Sequence, residues 1–330
     1  MGIFIRVVHI LTMGDEMDKA EAFYKLFPCN LRELLILGGY RYEKLREIRF
    51  RVGQPILIKC DTGEEMLRCK GSADPYLIQQ GELTELMNYI CDFSIYAYEE
   101  ELRQGFITTI GGHRIGIGGS VATEEGEIRT FRYITCLSIR VAHELPGISK
   151  HLMPYLFKNG QLYNTLLISA PGCGKTTMLR DLIRMLSDQG HTVGVVDERS
   201  EIGGCYMGIP QNDIGMRTDI IDGCAKAHGI MMLVRSMSPD VVAVDEIGTK
   251  EDVSAIETAL HSGCRLIATI HGYDVQDVIQ KQMLRTLIQD GAIERYVVLE
   301  KDGSGNRMVR ILDQNFELIS YQDKAERVRE

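Results

Sequence analysis

The chain has 330 residues, with 37 Lys and Arg set against 46 Asp and Glu for a net charge of −9, so no global positive field recruits nucleic acid or anionic lipid. Hydrophobic residues make up 45% and charged residues 25%; this is ordinary globular composition, and the length predicts about two domains with sizeable cores. The nine cysteines include no C-x-x-C pair and no Cys/His zinc spacing, which argues for reduced thiols in a cytoplasm and against a disulfide framework or a zinc site.

The first apolar stretch, residues 3–11, falls well short of the ~18 residues of a membrane span. It also lacks a small-residue cleavage site, so it reads poorly as a signal peptide. Met13 and Met17 are alternative starts, and residues 1–16 are expected to be artefactual or disordered. From there to about residue 148 the pattern is mixed and predicts a smaller α+β domain. Helical spacing runs over 31–37 and 81–90, strand-like alternation over 47–52 and 55–59, and a helix over 96–104 leads into residues 105–110. The glycine-dense run Gly111-Gly-His-Arg-Ile-Gly-Ile-Gly-Gly119 predicts a turn-rich strand pair or a close backbone approach. Residues 145–164 read as a connector.

From residue 149 to the end, short apolar runs alternate with helical ones, at 166–168, 192–197, 241–245 and 265–270. This is the signature of a parallel sheet covered on both faces. Helices are expected over 252–262 and 275–289, a terminal strand pair over 294–300 and 307–312, and a charged, frayed tail from 323 onward.

The strongest chemical signal is Ser169-Ala-Pro-Gly-Cys-Gly-Lys-Thr-Thr177 between an apolar strand and a helix. That context predicts a phosphate-binding loop whose backbone N–H groups cradle anionic oxygens, aided by the positive end of the helix. Ser169, Ala170, Pro171, Gly172, Cys173, Gly174, Lys175, Thr176 and Thr177 are therefore the nucleotide-binding candidates. Ser169 stands where the usual pattern has its first glycine; Gly172 and Gly174 still supply the permissive backbone. Lys175 is expected to reach the β- and γ-phosphates of ATP, and Thr176 to hold Mg²⁺. Cys173 reads as a tolerated small residue, with an oxidation-sensitive thiol as the alternative.

Val241-Val-Ala-Val-Asp245-Glu246 places two acids at the sheet edge where open α/β sheets bind ligands. Asp245 is the second Mg²⁺ candidate, and Glu246 the residue that polarises water. Asp197 and Glu198 end another strand, with Glu198 the candidate for orienting water or metal; an N-cap and surface charge cluster is the alternative. His271, at the tip of Thr269-Ile-His-Gly272, is the candidate γ-phosphate sensor, with contact to a neighbouring subunit as the alternative. Glu257 reads as a solvated helix position. Arg114, Arg132, Arg140, Arg217 and Arg235 are candidate phosphate-sensing groups, since the guanidinium fork stays charged and matches phosphate oxygens.

Together these motifs resemble the type II and type IV secretion ATPases. Residues 239–248 resemble their Walker B box, with Asp245 in place of a glycine and Gly248-Thr249 in place of Arg-Asp. Residues 196–202 resemble their Asp box with its leading acids swapped. Residues 257–263 resemble their Glu-Thr-Ala helix, with Cys264 replacing a histidine, and Thr269-Ile-His271-Gly272 their His box. The departures, together with residues 47–55, 105–118 and 231–240, are similar to the sporulation branch of that superfamily, the stage III AA proteins, over about 30–315. The resemblance implies a RecA-like P-loop NTPase core following the smaller α+β domain, and a Mg²⁺-dependent ATPase working as a homo-oligomer, a hexameric ring. It further implies a mother-cell cytoplasmic location and a partner in the inner-membrane part of a sporulation channel that the ATPase powers or gates, with arginines of the first domain, Arg114, Arg132 and Arg140, facing the nucleotide. The alternatives are a nucleic-acid motor, disfavoured by the acidic charge, and a nucleotide-stabilised scaffold ring.

Overall fold

A computed structural model describes residues 16–69, 71–124, 126–301 and 307–323. The expectations for the first 15 residues and for the tail beyond 323 lie outside these. The chain divides into two units. One holds residues up to His143 together with Gly204–Gln211, and the other holds Glu144–Gly203 and Asn212 onward.

The first unit is an antiparallel sheet packed with helices. In chain order come α1 (Glu16–Lys25), α2 (Cys29–Leu37), β1 (Leu45–Arg51), β2 (Leu57–Cys60), β3 (Gly63–Met66), α3 (Gln80–Ile90), α4 (Glu99–Gln104), β4 (Phe106–Thr108), β5 (Arg114–Glu124) and β6 (Glu127–Arg140). The sheet order is β3-β2-β1-β6-β5-β4. Phe23, Leu31 and Leu35 of the first two helices, and Phe27 between them, share one core with Ile48, Phe50 and Ile58 of the sheet and Leu83 and Leu86 of α3. The helix α3 starts with a capping box, in which Glu82 reaches back to the Gln79 N–H at 2.9 Å. The glycine-dense run opens a long hairpin, a strand pair that also contains a close backbone approach. β5 and β6 pair over their full length, and their register shifts at three places. One shift lies beside Gly119, where an added Cβ would sit 1.9 Å from the Tyr133 carbonyl oxygen, so no other residue fits there without moving the partner strand. Residues 204–211 complete this unit, although they come from the second half of the chain. Tyr206 packs against the core, and the Gln211 amide oxygen accepts from the Gly111 N–H at 3.0 Å. Nothing in the sequence pattern announced this excursion.

The second unit opens with a small hairpin, β7 (Phe157–Lys158) and β8 (Gln161–Leu162). It continues with β9 (Thr165–Ser169), α5 (Lys175–Asp188), β10 (Val193–Asp197), β11 (Thr218–Asp222), α6 (Lys226–Ser236), β12 (Val241–Val244), α7 (Lys250–His261), β13 (Arg265–His271), α8 (Val275–Ile279), α9 (Arg285–Gln289), β14 (Arg295–Lys301), β15 (Arg307–Asp313) and β16 (Leu318–Asp323). The sheet runs β11-β10-β12-β13-β9-β14-β15-β16. Six strands are parallel, and the last two turn back antiparallel. Strand side chains alternate between faces, so Leu166, Ile168, Val242 and Val244 enter one apolar cluster while Leu167, Val241 and Ala243 enter the other. Both faces are covered, which is why these strands read as unbroken apolar runs. Where one helix was expected over 275–289 there are two short ones with a 3-10 turn between them. The strands β11 and β16, one at each edge of the sheet, escaped the sequence pattern because neither is an unbroken apolar run. Among the described residues, no helix is long and apolar enough to cross a membrane.

Candidate functional site

The site is assembled by register. His271 is level with Ser169, Val244 with Ala268, and Val196 with Val244, so the C-terminal tips of β9, β13, β12 and β10 lie side by side in one unit. Everything that follows these strands in sequence starts at the same sheet edge.

From β9 the chain turns through Gly172 and Gly174, with φ of 75° and 92°; these left-handed values favour glycine. Gly174 is the N-cap of α5, so the first-turn N–H groups of that helix have no intrahelical acceptor and face the loop. Lys175 is the first helical residue and is buried. Its Nζ donates to the Ser169 carbonyl oxygen at 2.9 Å and meets His271 Nδ1 at 2.8 Å. An ammonium can only donate, so Nδ1 accepts and the imidazole proton sits on Nε2, which meets Glu246 Oε1. Burial pulls the Lys175 ammonium below the usual lysine range, against the carboxylates of Asp245 and Glu246, which favour its charge.

Asp245 is bracketed by two hydroxyls. Thr176 Oγ1 donates to Oδ2 at 2.9 Å and Thr269 Oγ1 donates to Oδ1 at 2.5 Å. Thr269 is fully buried in β13, and its Oγ1 also accepts the Glu246 N–H at 2.8 Å. Glu246 has φ of 59°, a conformation that a side-chain-bearing residue keeps only when its surroundings impose it. The Thr269 hydroxyl supplies one constraint. Two more act on the carboxylate, His271 on Oε1 and Arg199 Nη1 on Oε2 at 3.1 Å.

Lys175, Thr176, Asp245, Glu246 and His271 therefore form one contact network. Glu198 is not part of it and pairs instead with Lys226 at the start of α6. Its neighbour Asp197 is buried and accepts from the backbone N–H groups of Glu201, Ile202 and Gly203 at 2.9, 2.8 and 2.8 Å. Burial pushes the Asp197 carboxyl up to about 6, although those donors favour the ionised form.

Arg217 and Arg235 are not brought to the loop either. The Arg217 carbonyl accepts from Val193 N–H at the start of β10, and Arg235 lies in the last turn of α6, just before β12 begins. Both occupy the N-terminal edge of the parallel sheet, opposite the phosphate loop. Arg114, Arg132 and Arg140 belong to the first unit. Arg114 and Arg140 pair across β5 and β6, Arg114 stacks its guanidinium 3.8 Å above the Phe106 ring, and Arg132 and Arg140 are exposed.

Sequence reading missed three contributors: Thr269, Arg199 and Lys301, whose Nζ donates to the Gly172 carbonyl oxygen at 2.8 Å. Thr269 and Arg199 sit inside the motifs already singled out. Lys301, at the end of β14, has no local pattern to mark it.

Comparison with known proteins bears on the family and the fold. The model of the family described as "Sporulation stage III, protein AA" matches residues 17–319. "Stage III sporulation protein AA" of Bacillus subtilis (strain 168) is 41% identical over 283 residues, covering 84% of this chain and 89% of that one. Among solved structures, the Legionella pneumophila ATPase DotB superposes with a TM-score of 0.57 at 16% identity, over 87% of this chain and 81% of its own. The pilus retraction motor PilT with bound ADP gives 0.55 at 17% identity, over 88% and 83%. At such identities the likeness is one of fold: a RecA-like P-loop core following a smaller α+β unit. Spanning nearly the whole chain, the family match makes this chain a member of the sporulation stage III protein AA family.

Proposed function

We propose that the chain is a Mg²⁺-dependent ATPase of the secretion-motor type, acting in sporulation. The observation that carries this reading is the convergence of Lys175, Thr176, Asp245, Glu246 and His271 on one strand edge beside a glycine-hinged loop. The donor set fits a nucleotide's phosphates and their metal ion. It offers inward N–H groups and an ammonium for the anion, and a hydroxyl beside a carboxylate for a hard cation.

In this reading Lys175 leaves Ser169 and His271 to neutralise charge on the γ-phosphate. Thr176 and Asp245 would hold Mg²⁺, which supplies further neutralisation of the phosphate oxygens. Glu246 orients the attacking water and accepts its proton. Freed from Lys175, His271 reports the state of the loop to Glu246. The preorganised groups supply electrostatic stabilisation without reorganising during the step.

The name of the Bacillus subtilis relative supports a sporulation setting. The neighbours named as an ATPase and a pilus retraction motor support a motor role. We place the protein in the mother-cell cytoplasm as a hexameric ring that powers or gates a channel through an inner-membrane partner, with Arg114, Arg132 or Arg140 facing a nucleotide.

The deciding experiment measures ATP binding and turnover by wild type, Lys175→Ala and Glu246→Gln, with and without single-stranded DNA. Binding lost in Lys175→Ala, together with turnover lost but binding kept in Glu246→Gln and no effect of DNA, supports the reading. Normal turnover in Glu246→Gln removes Glu246 from the chemistry, and DNA stimulation turns the reading to a nucleic-acid motor.

A further inference from the structure

The segment after β10 combines two features that belong together. Asp197 sits at the strand end with 1% exposure, and both of its oxygens are occupied by the N–H groups of residues 201, 202 and 203. Ser200 between them adopts φ of 53°, and Arg180, from the helix that follows the phosphate loop, donates from Nη2 to the Glu201 carbonyl oxygen at 2.5 Å. The short loop is thus fastened from below through its N–H groups and from the side through a carbonyl. The side chain it presents to the site is Arg199, whose Nη1 lies 3.1 Å from Glu246 Oε2.

Arg199 is 61% exposed, and Glu246 30%. An ion pair so open to water adds little to folding stability. What it does alter is the direction and charge surroundings of one carboxylate, the one assigned to activate water. Lysine at the end of a free four-carbon stem would be a looser partner than the planar, permanently charged fork of arginine. The opposite oxygen, Oε1, faces His271, which is engaged with Lys175 and is released when Lys175 turns to phosphate. Among the described residues Arg199 shows no second partner, so its hold on Oε2 does not depend on where Lys175 turns.

We propose that Arg199 is a positioning residue for hydrolysis, delivered by the Asp197-anchored loop, that fixes the Glu246 carboxylate by one oxygen so that the other addresses water. The proposal rests on the hydrolytic reading above. It reassigns the acid-rich segment after β10: Asp197 builds the loop, Glu198 pairs outward with Lys226, and the group that reaches the reaction is a cation.

The test uses the full chain with Arg199→Ala, Arg199→Lys and Glu246→Gln. Binding of a fluorescent ATP analogue should stay within about twofold of wild type in Arg199→Ala while kcat falls about tenfold with KM little changed, the pattern of an interaction that matters in the transition state. Millimolar guanidinium ion should restore part of the lost rate in Arg199→Ala, because the site is open to solvent, and Arg199→Lys should keep more activity than the alanine variant. Independently of turnover, deuterium exchange over residues 244–248 should rise in nucleotide-free Arg199→Ala and return towards wild type in Arg199→Lys, with exchange over 200–203 unchanged. Unchanged kcat and unchanged exchange over 244–248 in Arg199→Ala overturn the proposal. A rate loss that guanidinium does not restore, accompanied by faster exchange over 200–203, also overturns it by making Arg199 a prop of its own loop. Wild type without turnover, or Glu246→Gln with normal turnover, counts against the hydrolytic reading instead, and the exchange over 244–248 still decides whether Arg199 holds Glu246.

Discussion

Replacing Thr269 with valine keeps the volume and branching of a fully buried side chain and removes only its hydroxyl. That hydroxyl accepts the Glu246 N–H at 2.8 Å and donates to Asp245 Oδ1 at 2.5 Å. The change leaves a backbone donor unpaired and takes one of two hydroxyl donors from a carboxylate. An unmade hydrogen bond at a buried group costs about 1–3 kcal/mol, and one to a charged group about 1.5–3 kcal/mol. Partial access of water to Asp245 and Glu246 lowers the sum, so urea unfolding of Thr269→Val should show a loss of about 2–4 kcal/mol. Thr269→Ser keeps the hydroxyl and gives up one methyl group, at a cost of roughly 1 kcal/mol. The left-handed Glu246 backbone depends on this hydrogen bond, so valine should also lower kcat by at least about tenfold through misdirection of Asp245 and Glu246, with serine within about threefold of wild type. If valine proves as stable and as active as serine, the Thr269 hydroxyl does not hold Asp245 and Glu246 in place.

Asp197 gives a pH signature. Its folded-state pKa of about 6 lies above the ordinary aspartate value of 3.8, so the unfolded chain releases this proton first as pH rises. The stability contributed by protonated Asp197 is complete below about pH 4 and is lost as pH passes through about 6; the difference in urea midpoint between wild type and Asp197→Asn should drift across that window and level off above it, and a flat difference would contradict the assignment. Gly229 in α6 would place a Cβ 2.5 Å from Val196 Cγ1 of β10, whereas Gly81 in α3 has open space. Gly229→Ala should therefore lose about 1–3 kcal/mol, overpacking outweighing helix propensity, and Gly81→Ala should gain up to about 1 kcal/mol; thermal denaturation of both variants checks the contrast. Lys175→Ala should abolish binding of ATP in equilibrium dialysis while leaving the circular dichroism spectrum unchanged.

The P-loop core was legible in the sequence because its signals are local and periodic. A strand–glycine–lysine–helix sequence and apolar runs ending in acids carry their own structural context, and Lys175, Asp245, Glu246 and His271 converge as those signals predict. What escaped depends on register or on sequence-distant pairing. Thr269 matters only because β13 is level with β12, and Lys301 only because β14 flanks β9. Adjacent acids gave no hint that Asp197 turns inward to backbone N–H groups while Glu198 turns to Lys226. Arg217 and Arg235 qualified by chemical type alone; strand direction puts them at the far edge of the sheet.

The detour of residues 204–211 into the first unit means that the chain passes between the two units three times instead of once. No single cut yields two self-sufficient fragments. A truncation that begins after His143 carries Tyr206 without the core it plugs, and a fragment that ends there lacks both Tyr206 and the Gln211 amide that receives the Gly111 N–H. For the same reason, exchanging one half of this protein for that of a relative by a single recombination event would break both halves at once. The two units are therefore expected to be inherited as a pair, and biochemical dissection of either one calls for an internal graft in place of a terminal deletion.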